Sequence, residues 1–164
     1  MARQVVWKAI NNLLPTRERQ NRLRLNDLNG RLVTSTICTR CDLRAVDNVT
    51  HMFSECGLIR EAWCWMRKRL LDLLPEDMSD LSNMELLHMM FPKENREDEL
   101  VWMVGTYMGW VWDEAVVKGR TLTDAHARGY MRYQYYQSLC TKMPEVGYIS
   151  DITVSRNFVF DDNG

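Results

Sequence analysis

Four residues able to bind a soft or borderline metal ion fall in one short window of the chain: Cys38, Cys41, His51 and Cys56. The first two are spaced C-x2-C and the last two H-x4-C. A divalent zinc ion takes four thiolate or imidazole ligands in a tetrahedron, and a two-residue gap lets two thiolates bite one ion from a tight turn. The second pair has to close the site from the start of a helix. Five residues apart, His51 and Cys56 stand about 140° apart on a regular helix. Either His51 lies on the turn that enters the helix, or that turn is distorted. The plainer alternative is three buried thiols and a core histidine, since free cysteine often packs as a small hydrophobe. Thr39, Arg40 and Asp42 surround the first pair with polar groups, which is not a core pattern, and the spacing favours zinc bound by all four.

A chain of 164 residues that is 46% hydrophobic can bury a sizeable core. Its five cysteines are an odd number, and no stretch reads as a secretory leader. Intracellular thiols and a metal site fit this better than a disulfide framework, which points to the nucleus or cytoplasm. No apolar run reaches the length of a membrane span; Leu100 to Val117 is interrupted by Asp113 and Glu114. The net charge of −1 conceals an uneven distribution. Residues 1–44 are rich in arginine and poor in acid, residues 76–99 are the reverse, and Asp161 and Asp162 leave the end acidic. Such asymmetry marks either a nucleic-acid face or ordinary solvated helix surface.

The rest of the chain reads as helices. Val5, Val6, Ala9, Ile10, Leu13 and Leu14 recur at helical spacing over 3–14, and Pro15 stops that helix. Thr16 can cap a second helix, Arg17 to Leu25, with Leu23 and Leu25 reaching a core. Its polar stripe holds Arg17, Gln20, Asn21 and Arg24. Asn29-Gly30 is a turn, and Leu32 to Ile37 is an extended arm leading to Cys38. Asp47 or Asn48 can cap the segment carrying His51 and Cys56. Gly57 breaks or bends the chain, and a strong helix follows from Leu58 to Leu74, ended by Pro75. Ser82 and Glu85 have capping-box spacing before a short helix ended by Pro92. A long helix spans Arg96 to Lys118, with an acidic first turn and Gly119 at its close; Gly105 and Gly109 can admit another helix. Thr121 and Asp124 form a second capping box, and the last helix runs from Leu122 to Met143, before Pro144. Its Tyr130, Tyr133, Tyr135 and Tyr136, set among Arg128 and Arg132, either stack bases or form an amphipathic core edge. The fold class is all-α. About six helices make a domain over 1–146, with a zinc-stapled turn at 38–56 near its N-terminal third, and an extended acidic tail covers 147–164.

No phosphate loop, nucleophile elbow or acidic metal-nuclease cluster is present. Cys64 and Cys140 lie in helical segments and read as structural, and His88 as a half-buried histidine; His126 has no evident role. A zinc with four protein ligands has no open position for substrate water, which argues against an enzyme.

The run Trp7-Lys8-Ala9-Ile10, Leu14-Pro15-Thr16-Arg17-Glu18-Arg19, Cys38-x2-Cys41, Asp47 four before His51, His51-Met52-Phe53-x2-Cys56 and Ala62-Trp63 resembles the zinc-binding domain that follows the reverse transcriptase of non-LTR retrotransposon proteins. The resemblance covers residues 7–63. The family often has Gly after the second Cys and Pro after the last, where this chain has Asp42 and Gly57, and an apolar residue where Gln20 stands. None of these departures removes a ligand. The resemblance implies a structural zinc and a non-catalytic accessory domain that holds RNA or DNA during reverse transcription and integration, next to a polymerase domain of a parent protein. The basic front then supplies Arg17, Arg24, Arg40 and Arg44 as phosphate contacts. The alternative is a protein–protein interaction module derived from such an element, with another protein as partner.

Overall fold

The computed structural model describes residues 2–27, 29–88 and 97–142. The stops expected at Pro92 and Pro144 and the extended tail 147–164 lie outside these residues, as does the side chain of Cys140. Among the described residues the chain forms six α-helices and no strand: α1 (Ala2–Ile10), α2 (Arg17–Arg22), α3 (Arg60–Leu73), α4 (Asn83–Leu87), α5 (Glu97–Val111) and α6 (Asp124–Lys142). Two wide turns of π type, His51–Glu55 and Trp112–Val117, complete the helical elements, with a single 3-10 turn at Glu76–Met78. The all-α reading therefore holds. No described helix is long and apolar enough to cross a membrane.

Helix α1 stops four residues earlier than the apolar pattern suggests, and proline is not the cause. Asn12 takes the left-handed conformation, with φ 51°. Its N–H then donates to the Ala9 carbonyl, and the Leu13 N–H donates back to Lys8. This pair of reversed bonds satisfies carbonyls that the helix end leaves open. Asparagine tolerates this backbone better than most side chains do. Val5 and Ala9 are buried on the inner face, while Trp7 is 59% exposed. Gly105 on α5 faces α1: a Cβ added there would lie 3.6 Å from the Val6 side chain. One of the two glycines thus makes the close helix approach the sequence suggests.

Helix α2 ends by the same device. Thr16 caps its start, its hydroxyl accepting the Arg19 N–H at 3.2 Å. At the other end Arg24 is left-handed, with φ 53°, and the N–H groups of Arg24 and Leu25 bond back to Asn21 and Gln20. The helix therefore closes at Arg22, and Arg24 does not continue the stripe expected through Arg17, Gln20 and Asn21. No residue of α2 is buried. Leu23 and Leu25, expected to find a core, are exposed. The Asn29-Gly30 turn is present: Gly30 has φ 74°, and the Asp27 carboxylate accepts the N–H groups of Asn29 and Arg31.

The core forms where α1 packs on α5, and α3 on α5 and α6. Helix α3 buries Ala62, Met66 and Leu70, one every four residues, with Trp63 beside them. That repeat lines one face of a 3.6-residue helix. Tyr107 of α5 is fully buried, its ring 5.5 Å from that of Trp63 and 6.3 Å from that of Trp110. The expected box at Ser82 and Glu85 caps α4, each side chain receiving the other's backbone N–H. Helix α6 is capped two residues later than expected. Thr123 accepts the His126 N–H and donates its own N–H to His126 Nδ1, so His126 fills the place that Glu holds in the usual box, while Asp124 sits in the first turn and pairs with Arg128 at 3.6 Å. Tyr130 stacks on Trp110, with centroids 5.1 Å apart and an interplanar angle of 12°. Tyr135 meets Trp102 edge-on. These two tyrosines are core edge; Tyr133 and Tyr136 are exposed. So is Cys64, which the sequence suggested as structural.

Candidate metal centre

The extended arm and its return form a small loop that presents the first two cysteines. Ile37 and Val46 pair as an isolated antiparallel bridge. Next to it the Cys38 N–H donates to the Ala45 carbonyl and the Asp47 N–H to the Thr36 carbonyl. Residues 39–44 must then reverse direction, and Arg44 does so with φ 50°. Asn48, and not Asp47, caps the next segment: its side-chain oxygen accepts the His51 N–H at 2.8 Å.

From His51 the chain takes the distorted turn that the H-x4-C spacing offered as one solution. The Cys56 N–H donates to the His51 carbonyl at 2.8 Å, an i to i+5 bond. A wider turn brings residues five apart back towards one side, which a regular helix does not do. Wide turns of this kind are frequent at functional sites. Met52 and Phe53 in the same turn are buried in the main core, and the Phe53 carbonyl accepts the Tyr107 hydroxyl at 3.1 Å. The second ligand pair is thus anchored on the helical body, and the first pair on the loop.

The four side chains converge. The Sγ atoms of Cys38, Cys41 and Cys56 and a ring nitrogen of His51 lie within 4.8 Å of one another and could hold a metal ion. His51 Nε2 is 3.5 Å from Cys41 Sγ. Cys38, His51 and Cys56 are buried, and Cys41 is half-buried. Backbone N–H groups also face the sulfurs. The Arg40 N–H donates to Cys38 Sγ at 3.4 Å, and the N–H groups of Gly57 and Leu43 act on Cys41 and that of Leu58 on Cys56. Such donors favour thiolate over thiol.

Charge at the cluster follows from burial and crowding. Burial raises the Cys41 thiol, but the N–H groups of Gly57 and Leu43 and hydrogen bonds with Cys56 and Cys38 outweigh it, and it ends below the ordinary value. Cys56 is pushed up to about 12, first by burial and then by Cys38 and Cys41, with the Leu58 N–H pulling the other way. Burial lowers the His51 imidazole, against the Asp47 carboxylate, so the ring stays neutral as a ligand requires. Crowded thiols resist ionising together without a cation, and a bound metal ion supplies one.

Gly57 closes the site from behind. A Cβ added there would stand 3.2 Å from Cys41 Cβ, inside the optimal carbon–carbon separation of about 3.5–4.0 Å. Gly57→Ala is expected to displace Cys41, cost about 1–3 kcal/mol and speed loss of metal to a chelator. Unchanged metal retention would show that the loop absorbs the methyl group.

The four arginines expected to face phosphate are not alike. Arg24 and Arg44 are exposed, each on a left-handed backbone. Arg17 is half-buried, its backbone N–H donates to Asp47 Oδ2 at 3.1 Å, and its Nε is buried without a hydrogen-bond partner. Arg40 turns inward and pairs with the Asp47 carboxylate. Asp47 was legible as an acid four residues before His51 and as a candidate cap, a place that Asn48 takes; its partners Arg17 and Arg40 are remote in sequence or hidden in the loop. What the fold and cluster define is an all-α domain bearing three cysteines and one histidine at metal-binding spacing. No family model, curated protein or solved structure matches the chain.

Proposed function

We propose that the cluster holds one structural zinc ion and that the domain is a non-catalytic, nucleic-acid-binding accessory of a retroelement-type protein. The donor set carries the zinc assignment. Tetrahedral zinc with bonds of about 2.3 Å to sulfur and about 2.0–2.1 Å to nitrogen separates the two donors by about 3.6 Å, and the Cys41–His51 separation is 3.5 Å. Four protein ligands leave no open position for water, so the ion stabilises the loop and does no chemistry.

The nucleic-acid reading is supported by the resemblance over residues 7–63 and by the arginines that α2 and the loop display. Arg22, Arg24, Arg31 and Arg44 are all exposed. Guanidinium donates two parallel hydrogen bonds to phosphate and stays charged. In this reading Arg24 and Arg44 contact phosphate directly, Arg17 does so from the first turn of α2, and Arg40 keeps the loop in place. Contacts to phosphate position a protein without reading bases, so sequence preference should be weak.

Fluorescence anisotropy with single-stranded RNA, duplex DNA and an RNA–DNA hybrid tests this. For about three neutralised phosphates the log–log salt slope on duplex DNA is expected at about −2.7, and Arg24→Ala with Arg44→Ala should make it shallower by about 1.8. Binding to none of the three at low salt would favour the second reading, a protein-interaction module. That reading has its own support in apolar side chains that are exposed: Trp7 and Ile10 on α1, and Leu43 and Val46 on the loop.

A further inference from the structure

We infer that Asp47 is a positioning residue that ties the metal cluster to helix α2, so that metal loading sets the order of α2. The inference rests on the zinc reading above. Asp47 is 1% exposed, and its polar groups all have partners within the protein. Oδ1 accepts the Arg40 guanidinium and Oδ2 the Arg17 N–H, while its backbone N–H donates to Thr36 and its carbonyl accepts the Glu18 N–H. One residue therefore joins the first turn of α2, the incoming arm and the loop between Cys38 and Cys41.

The link to the metal runs through Arg40. Its side chain is fixed by Asp47, and its backbone N–H donates to Cys38 Sγ at 3.4 Å. The segment that orients one thiolate is thus held by the carboxylate that also caps the approach to α2. Helix α2 buries no residue of its own. Its six residues are too few for a stable isolated helix, and apolar packing does not hold it. Polar bonds hold it instead: the N–H groups of Arg17 and Glu18 donate to Asp47, and Asn21 Nδ2 donates to the Val33 carbonyl of the incoming arm at 3.0 Å; of these, the pair to Asp47 leads to the cluster. A buried carboxylate is stable only while its charge is matched, and loss of one partner leaves the other exposed to the full cost. Neutralising Asp47 should accordingly release both the loop and α2.

Two readouts test this: zinc affinity by competition with a chromophoric chelator, and amide hydrogen exchange of Arg17 to Gln20 with and without zinc. In the wild-type protein, stripping zinc should accelerate exchange at these amides. Asp47→Asn keeps the size of the side chain and a carbonyl able to accept the Arg17 N–H, but not the charge. It should lower zinc affinity by about 10–100-fold, the usual effect of losing a residue that orients a ligand, and leave the α2 amides fast even in the loaded protein. Arg40→Lys keeps the charge but loses the planar fork. It should weaken zinc several-fold, and it decides the matter if Asp47→Asn does not fold. Wild-type zinc affinity in the folded variant, or α2 exchange in the wild-type protein that ignores zinc, overturns the inference. A wild-type protein that binds no zinc removes the zinc reading itself, which separates the two failures.

Discussion

Protein carrying Cys41→Ser should be purified almost free of metal, against about one equivalent of zinc in the wild type by elemental analysis. A serine hydroxyl does not ionise in place of a thiolate, and the remaining three donors no longer surround the ion. In finger peptides, where folding and binding are one event, structural zinc supplies about 10–16 kcal/mol. Here the consequence should be local. His51 and Cys56 flank Met52 and Phe53, which are buried in the helical core at 1% and 0% exposure. Among the described residues of 16–48, by contrast, only Thr16, Val33, Cys38 and Asp47 are buried. Chelation should therefore free the loop and α2 and leave the turn at 51–55 attached to α3 and α5. Far-ultraviolet helicity should fall little, while hydrogen exchange rises in α2 and across about residues 31–48. Loss of most helical signal on chelation would mean that the metal holds the whole fold, which the buried faces of α3, α5 and α6 argue against.

Tyr107→Ala should be the most damaging change outside the cluster. Its ring is fully buried between Trp63 and Trp110. Truncating a buried aromatic costs about 3–5 kcal/mol, because the cavity adds to the lost transfer energy. Domains are stable by only about 5–15 kcal/mol, so chemical denaturation should show loss of a large fraction of the total. Tyr107→Phe separates the ring from the hydroxyl. It keeps the packing but leaves the Phe53 carbonyl without its donor, for about 1–3 kcal/mol. Because that carbonyl lies in the turn bearing His51, Tyr107→Phe should also loosen the metal site in a chelator competition. Alkaline behaviour distinguishes the two species further. Burial holds the Tyr107 hydroxyl well above its ordinary value of 10.0. A raised folded-state value keeps the phenol neutral in the native protein, so its contribution to stability is complete below about 10 and is lost as pH rises beyond it. Wild-type stability should fall more steeply above that pH than stability of Tyr107→Phe. Equal slopes would place the phenol in contact with solvent.

The sequence by itself determined the features set by neighbours along the chain. The four ligands lie within nineteen positions of one another, so their spacing encodes a common site. The caps at Thr16 and at Ser82 with Glu85 are contacts across three residues, and they form where the residue types allow. Helix α3 follows from its apolar positions and from Pro75, and α5 from its acidic first turn and Gly119. The tertiary structure decided the rest. Asn12 and Arg24 end their helices in a left-handed backbone without glycine; asparagine permits such an end without requiring it, and arginine does not announce one. Which apolar residues are buried depends on whether another element arrives to cover them: Val5 and Ala9 are buried on the helix that packs on α5, whereas no described element buries Leu23 and Leu25. Local spacing permitted either an entering turn or a distorted one at His51, and the anchoring of Phe53 in the core accompanies the distorted one. Asp47 gained its place through Arg17, thirty residues away in sequence. Local chemistry therefore sufficed to place the ligands, but linking them to α2 required a contact that only chain folding brings about.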